Sequence, residues 1–218
     1  MPSVRSALAL VVWGLVLDLA DLRLGSFDVL PDVVGLALVL LGLKDLSAHL
    51  PGLRRAKQVA MVAAVLSLAD LVHPLRTTTE VAGEMTTSVT AAGEPIGLWG
   101  LASGLHDVAV TLLIILVCRA VARAARDGGA VTVAEIFGRL VLWNTLLLVA
   151  ELLATAAGLA LGEEATELAV VVLPVVIAGV ALSIWTLVRL WGLREGPPLA
   201  SSSAQPRGSE VGFIQNGE

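Results

Sequence analysis

The sequence predicts an all-α fold, an integral membrane bundle of six transmembrane helices. Three observations lead to it. Of the 218 residues, 56% are hydrophobic and only 15% charged, against ~25% charged in an ordinary soluble domain. Apolar stretches close to the ~18–20 residues that a helix needs to cross a bilayer recur along the chain. The basic residues gather in alternate connections, as expected when they mark the cytoplasmic side.

The spans fall at about 5–22, 29–46, 58–75, 96–118, 137–161 and 167–192. The first begins like a signal peptide, with Arg5 followed by "ALALVVWGLVL". It then runs straight into Asp18 and Asp21 without a small-x-small cleavage site, so it is expected to remain as a span. The second is free of charge only over 33–43, with Asp32 at its outer end and Lys44 at its inner end. Between the third and fourth lies "TTTEVAGEMTTSVTAAGEP", a small imperfect duplication. Its threonines and valines suit a short hairpin, but its polarity makes a disordered loop the expectation. "GLASG" (100–104) and the ridge Ala150, Ala154, Gly158, Gly162 offer small residues for close helix packing within the chain. Residues 1–195 thus form the membrane domain, and 196–218, rich in Pro, Ser and Gly, form a disordered cytoplasmic tail.

With the N-terminus inside, twelve Lys and Arg residues fall on the inner side, and only Arg23 and Arg76 on the outer side. The chain is therefore expected to be a multi-pass protein of a bacterial cytoplasmic membrane with both termini cytoplasmic. Trp99 falls at the outer boundary and Trp143 and Trp191 at the inner one, while Trp13 and Trp185 lie deeper, as packing residues. "VLDLADL" (16–22) returns as "VLSLADL" (65–71) and, weakly, as "LLVAELL" (147–153), which suggests three copies of one helical hairpin. Chance matches among Leu, Val and Ala are the favoured explanation, because the third copy is weak and the loops differ in length.

The carboxylates within the spans carry the functional question. Asp107 and Glu151 are expected near the bilayer midplane, Asp18 and Asp70 in the outer half, and His73 towards the outer interface. An acid at the bilayer centre costs ~2.5–3.5 kcal/mol even on lenient insertion scales. The spans hold no Lys or Arg at mid-depth, and His106 and His73 are the bases within reach. These acids are therefore expected to face the bundle interior, either protonated or neutralised by an external cation. Helical spacing aligns Ser103, Asp107 and Thr111 on the fourth span, with His106 beside them, and Asn144, Glu151 and Thr155 on the fifth. Asp28, Pro31 and Asp32 belong instead to the outer turn into the second helix. There Asp28 caps, Pro31 occupies the first turn and Asp32 meets the positive end of the helix dipole.

Catalytic signatures do not emerge. Ser103 and His106 in "LASGLHD" stand one turn apart on one helix, a poor geometry for activating a nucleophile. His49, His73 and His106 lie on separate segments and make no metal motif by spacing, so no cofactor or metal is expected. The single cysteine, Cys118, excludes an intramolecular disulfide. The basic stretches "HLPGLRRAK" (49–57) and "CRAVARAAR" (118–126) fit contact with anionic lipid heads rather than nucleic acid.

The stretch "GSFDVLPDVVGLALVLLGLKDLS" (25–47) resembles the signature of a group of small bacterial polytopic membrane proteins of unassigned function. The matching residues are Phe27, Asp28, Leu30, Pro31, Asp32, Gly35, Gly42 and Leu43. The resemblance covers about a tenth of the chain and implies a class without a mechanism.

The sequence leads to a small permease-like protein coupled to a cation or proton, with Asp18, Asp70, His73, His106, Asp107 and Glu151 as candidate site residues. The bilayer is its expected partner, and the oligomeric state is left open. The alternative is a non-catalytic membrane subunit, scaffold or assembly factor in which these polar groups only set helix packing.

Overall fold

The computed structural model describes residues 4–20, 23–24, 27–28, 32–50, 52–69, 75–82, 85–92, 98–161 and 169–194. Six helices make up the body: α1 (Val4–Ala20), α2 (Asp32–Leu46), α3 (Leu53–Leu66), α4 (Leu98–Asp127), α5 (Val131–Leu161) and α6 (Ala169–Gly192). A 3-10 turn, Ser67–Ala69, extends α3. Each helix packs against its neighbours in the chain, and α6 returns to α1, closing a ring. The described residues fall largely within the expected domain 1–195, and the expected tail lies outside them.

Among the described residues, three segments are long and apolar enough to cross a membrane: Gly104–Asp127, Val131–Leu153 and Leu173–Gly192. Their burial separates their roles. The α4 segment is 61% buried, whereas the α5 and α6 segments are 17% and 11% buried. So α4 is the core helix, while α5 and α6 turn Leu142, Leu146, Leu153, Ile177, Ile184 and Val188 outwards. An exposed apolar surface of this extent is foreign to a monomer in water and natural in lipid. Helices α1, α2 and α3, at 17, 15 and 14 residues, are shorter.

Several boundaries depart from the hydropathy reading. Helix α4 continues nine residues beyond 118, and α5 begins six residues before 137. The cause is that hydropathy stops at the first charges, whereas "RAVARAARD" (119–127) consists largely of strong helix formers. The turn between them is a Schellman motif. Gly129 takes φ 74°, Ala130 N–H donates to Ala125 O at 2.7 Å, and Gly129 N–H donates to Arg126 O at 3.0 Å. Helix α3 starts five residues early and stops at Leu66, and Ser67 Oγ donates to Ala64 O at 3.0 Å. Leu75, expected to end that span, instead opens a strand.

The loop expected to be disordered is an antiparallel ribbon. Strand β3 (Leu75–Ala82) pairs with β4 (Met85–Ala92) in a register that sets Thr77 opposite Thr90 and Thr79 opposite Ser88. The two halves of the duplication therefore pair with each other, and β-branched residues suit that pleated geometry. A two-residue pair, Arg23–Leu24 with Phe27–Asp28, lies between α1 and α2.

The tightest packing is between α1 and α2. A Cβ at Gly35 would stand 2.5 Å from Gly14 O and 3.0 Å from Asp18 N, and one at Gly42 would stand 2.6 Å from Ala7 O. Only glycine permits that approach, as in small-residue interfaces between membrane helices. Gly104 of "GLASG", in contrast, has nothing within 4 Å of its Cβ position. Trp13 and Trp185 are half-exposed rather than interior. Trp13 meets Trp191 edge-on, at 6.1 Å between ring centroids. The Arg189 guanidinium lies 4.6 Å from the Trp185 ring.

Candidate functional site

The α1/α2 contact decides where the first polar cluster forms. The two helices run antiparallel with Gly14 against Gly35, so the residue one turn beyond Gly14, Asp18, comes level with the start of α2. There stands Asp32. Helix α4 supplies the third member, His106, whose Nε2 lies 3.5 Å from Asp18 Oδ1 and 3.8 Å from Asp32 Oδ2. The side chains of His106, Asp18 and Asp32 are only 6%, 8% and 13% exposed.

The other ring nitrogen orients the histidine. His106 Nδ1 lies 3.2 Å from the carbonyl oxygen of Ala63 on α3. A carbonyl can only accept, so Nδ1 carries the proton and Nε2 faces the two acids. Asp18 Oδ1 is fully buried and has no hydrogen-bond donor among the described residues. Four helices thus converge on one imidazole.

A second group is separate from the first. Thr111 Oγ1, on α4, donates to Glu151 Oε2, on α5, at 3.2 Å. Asp107 stands one turn before Thr111 and acts electrostatically on Glu151. Unlike the interior placement expected of it, Asp107 is exposed, because it is the immediate neighbour of the buried His106 and so points another way. Buried Asn144 spends its amide N–H₂ on its own helix, donating to Leu140 O at 2.8 Å.

Of the sequence-derived candidates, the structure brings Asp18 and His106 together and places Asp107 and Glu151 at a different contact. Asp70, His73 and Pro31 lie outside the described residues. Asp28 stands in a strand opposite Arg23. Asp32, assigned to the outer turn of α2, does open that helix, and its carboxylate also enters the cluster. Spacing along the chain gives no sign of this grouping, because its members come from three helices. Paired small residues seven apart, Ala7 with Gly14 and Gly35 with Gly42, are the signal that would have set α1 on α2.

A third feature lies between the start of α3 and the later half of α4. A cleft of about 440 Å³ is lined by Arg54, Arg55, Arg119 and Arg123. Gly52, Leu116 and Ala120 complete its lining. Such a concentration of guanidinium groups suits phosphate-bearing anions.

No family model, curated protein or solved structure matches the chain, so its own geometry carries the functional reading.

Proposed function

We propose that the chain is a six-span protein of a bacterial cytoplasmic membrane, with both termini cytoplasmic, acting as a small permease coupled to a proton or cation. The observation that carries this reading is the Asp18–His106–Asp32 cluster. Even with a doubly protonated imidazole, two carboxylates leave one negative charge in a buried site. Net negative charge in a buried site is costly, so uptake of a further proton or a cation favours the cluster.

The outward apolar faces of α5 and α6 support the membrane setting, and the twelve-to-two distribution of bases supports the orientation. In that orientation the cluster belongs to the outer ends of α1 and α2, with Asp18 in the last turn of α1 and Asp32 in the first turn of α2. The arginine cleft then lies on the inner side, where anionic headgroups are concentrated.

The test is flux of protons or cations into proteoliposomes holding the wild-type chain, Asp18→Asn or His106→Gln. Lost flux in folded variants is the expected result; unchanged flux in both overturns the reading. A second reading, a non-catalytic subunit or scaffold, is favoured by the Thr111–Glu151 bond, since interhelical bonds of this kind fix register. It would be supported by variants that lose folded yield without any change in flux.

A further inference from the structure

We infer that Asp18, Asp32 and His106 form a site for a divalent transition-metal ion of the zinc class. This deepens the cation-coupled reading above and rests on it only for the ion's role in transport.

Spacing is the first support. The Nε2-to-carboxylate distances of 3.5 and 3.8 Å are too long for good hydrogen bonds. Two ligand atoms bound ~2.0–2.1 Å from a tetrahedral zinc stand about 3.4 Å apart. One ligand atom from each residue lies within 4.8 Å of the others, so a single ion between them draws these atoms together by up to about 1.4 Å.

Donor chemistry is the second. The Ala63 carbonyl accepts from Nδ1–H, leaving the Nε2 lone pair directed at the acids. A metal-bound histidine commonly has this arrangement, its second nitrogen held by a carbonyl or carboxylate. The buried Asp18 Oδ1, which accepts no hydrogen bond, provides a second lone pair at the same place.

Charge is the third. Two carboxylates, a neutral imidazole and a divalent ion sum to zero, the balance that a buried site requires. The imidazole favours zinc, copper, iron or nickel over magnesium, calcium and manganese, which prefer oxygen ligands. Three protein ligands leave a coordination position open, as a site that must take up and release its ion requires.

The experiment uses the full chain in detergent, titrated with Co²⁺ and followed by visible absorption, with Zn²⁺ as competitor. One cobalt per chain is expected, displaced by zinc. Second-sphere substitutions already weaken metal sites by about 10–100-fold, so Asp18→Asn, Asp32→Asn and His106→Gln are each expected to weaken binding by at least roughly 100-fold. His49→Gln, at an exposed histidine, leaves it unchanged. Buried Cys118 reports folding, since a folded variant keeps this thiol closed to maleimide. Absence of binding, or binding that survives all three substitutions in folded protein, overturns the metal site. Binding without flux leaves the site and removes the transport reading. Cluster-dependent proton flux together with absence of cobalt binding removes the metal site and leaves the transport reading.

Discussion

Gly14 and Gly35 touch through their backbones, each occupying the space that a Cβ on the other would need. Alanine at either position gains up to about 1 kcal/mol in helix propensity. It also meets a backbone carbonyl that cannot rotate away, and overpacking of this kind costs about 1–3 kcal/mol. The clash is expected to win, lowering the thermal midpoint of Gly35→Ala. Gly104→Ala is the matched control, neutral or slightly stabilising, since its Cβ enters open space. Equal midpoints for the two variants would refute the close approach.

The cluster is expected to respond unequally to loss of base and loss of acid. His106→Leu leaves two buried carboxylates facing each other, and breaking a buried charged group by removing one partner costs about 3–5 kcal/mol. Asp18→Asn combined with Asp32→Asn removes that conflict and is expected to be milder than His106→Leu. Denaturant unfolding in detergent, read through Cys118 reactivity, ranks them. A His106→Leu protein as stable as the double variant would count against the geometry.

Polar groups of α5 separate into those that bridge helices and those that do not. Asn144 is buried, and its Oδ1 has no hydrogen-bond partner among the described residues. Asn144→Leu is therefore expected to be neutral or stabilising, because it removes an unsatisfied acceptor from an apolar site. Thr111→Val, which deletes the donor to Glu151, is expected to cost about 0.6 kcal/mol, the average for an interhelical hydrogen bond in a membrane bundle. Thermal melts of the two variants check the sign of each change.

The arginine cleft is expected to select anionic lipid. Each basic residue near an anionic surface contributes about 1 kcal/mol. Replacing Arg119 and Arg123 together by Gln is expected to weaken retention of anionic lipid by roughly 10–30-fold while sparing neutral lipid, measured by exchange from mixed vesicles. Unchanged retention would remove lipid recognition from the cleft.

How far all this was legible depends on whether the cause was local. Helix identity is local, and the apolar runs mark all six helices. The end of α4 and the start of α5 lie beyond the apolar runs because alanine and arginine propagate a helix after hydropathy has ended. The ribbon at 75–92 is hidden by its polarity, because the pairing of its two Thr/Val-rich halves is a relation between strands. At the site, burial logic singled out Asp18 and His106 without bringing them together. Asp32 was explained as the opening of a helix, an account that remains true but incomplete. Joining these residues needs the Gly14–Gly35 approach and the Ala63 carbonyl, which are relations between helices. Asp107 shows the same limit in reverse, since its neighbour His106 takes the inward direction.

The ring has a consequence for how the chain is made. Domains and segments emerge from the ribosome N-terminal end first. The acids of α1 and α2 are therefore synthesised well before the imidazole that meets them, and among the described residues α5 and α6 add no ligand to that cluster. The carboxylates of the first hairpin meet this imidazole when α4 arrives. Trp191 is made last of these partners, and its contact with Trp13 joins the two ends of the ring.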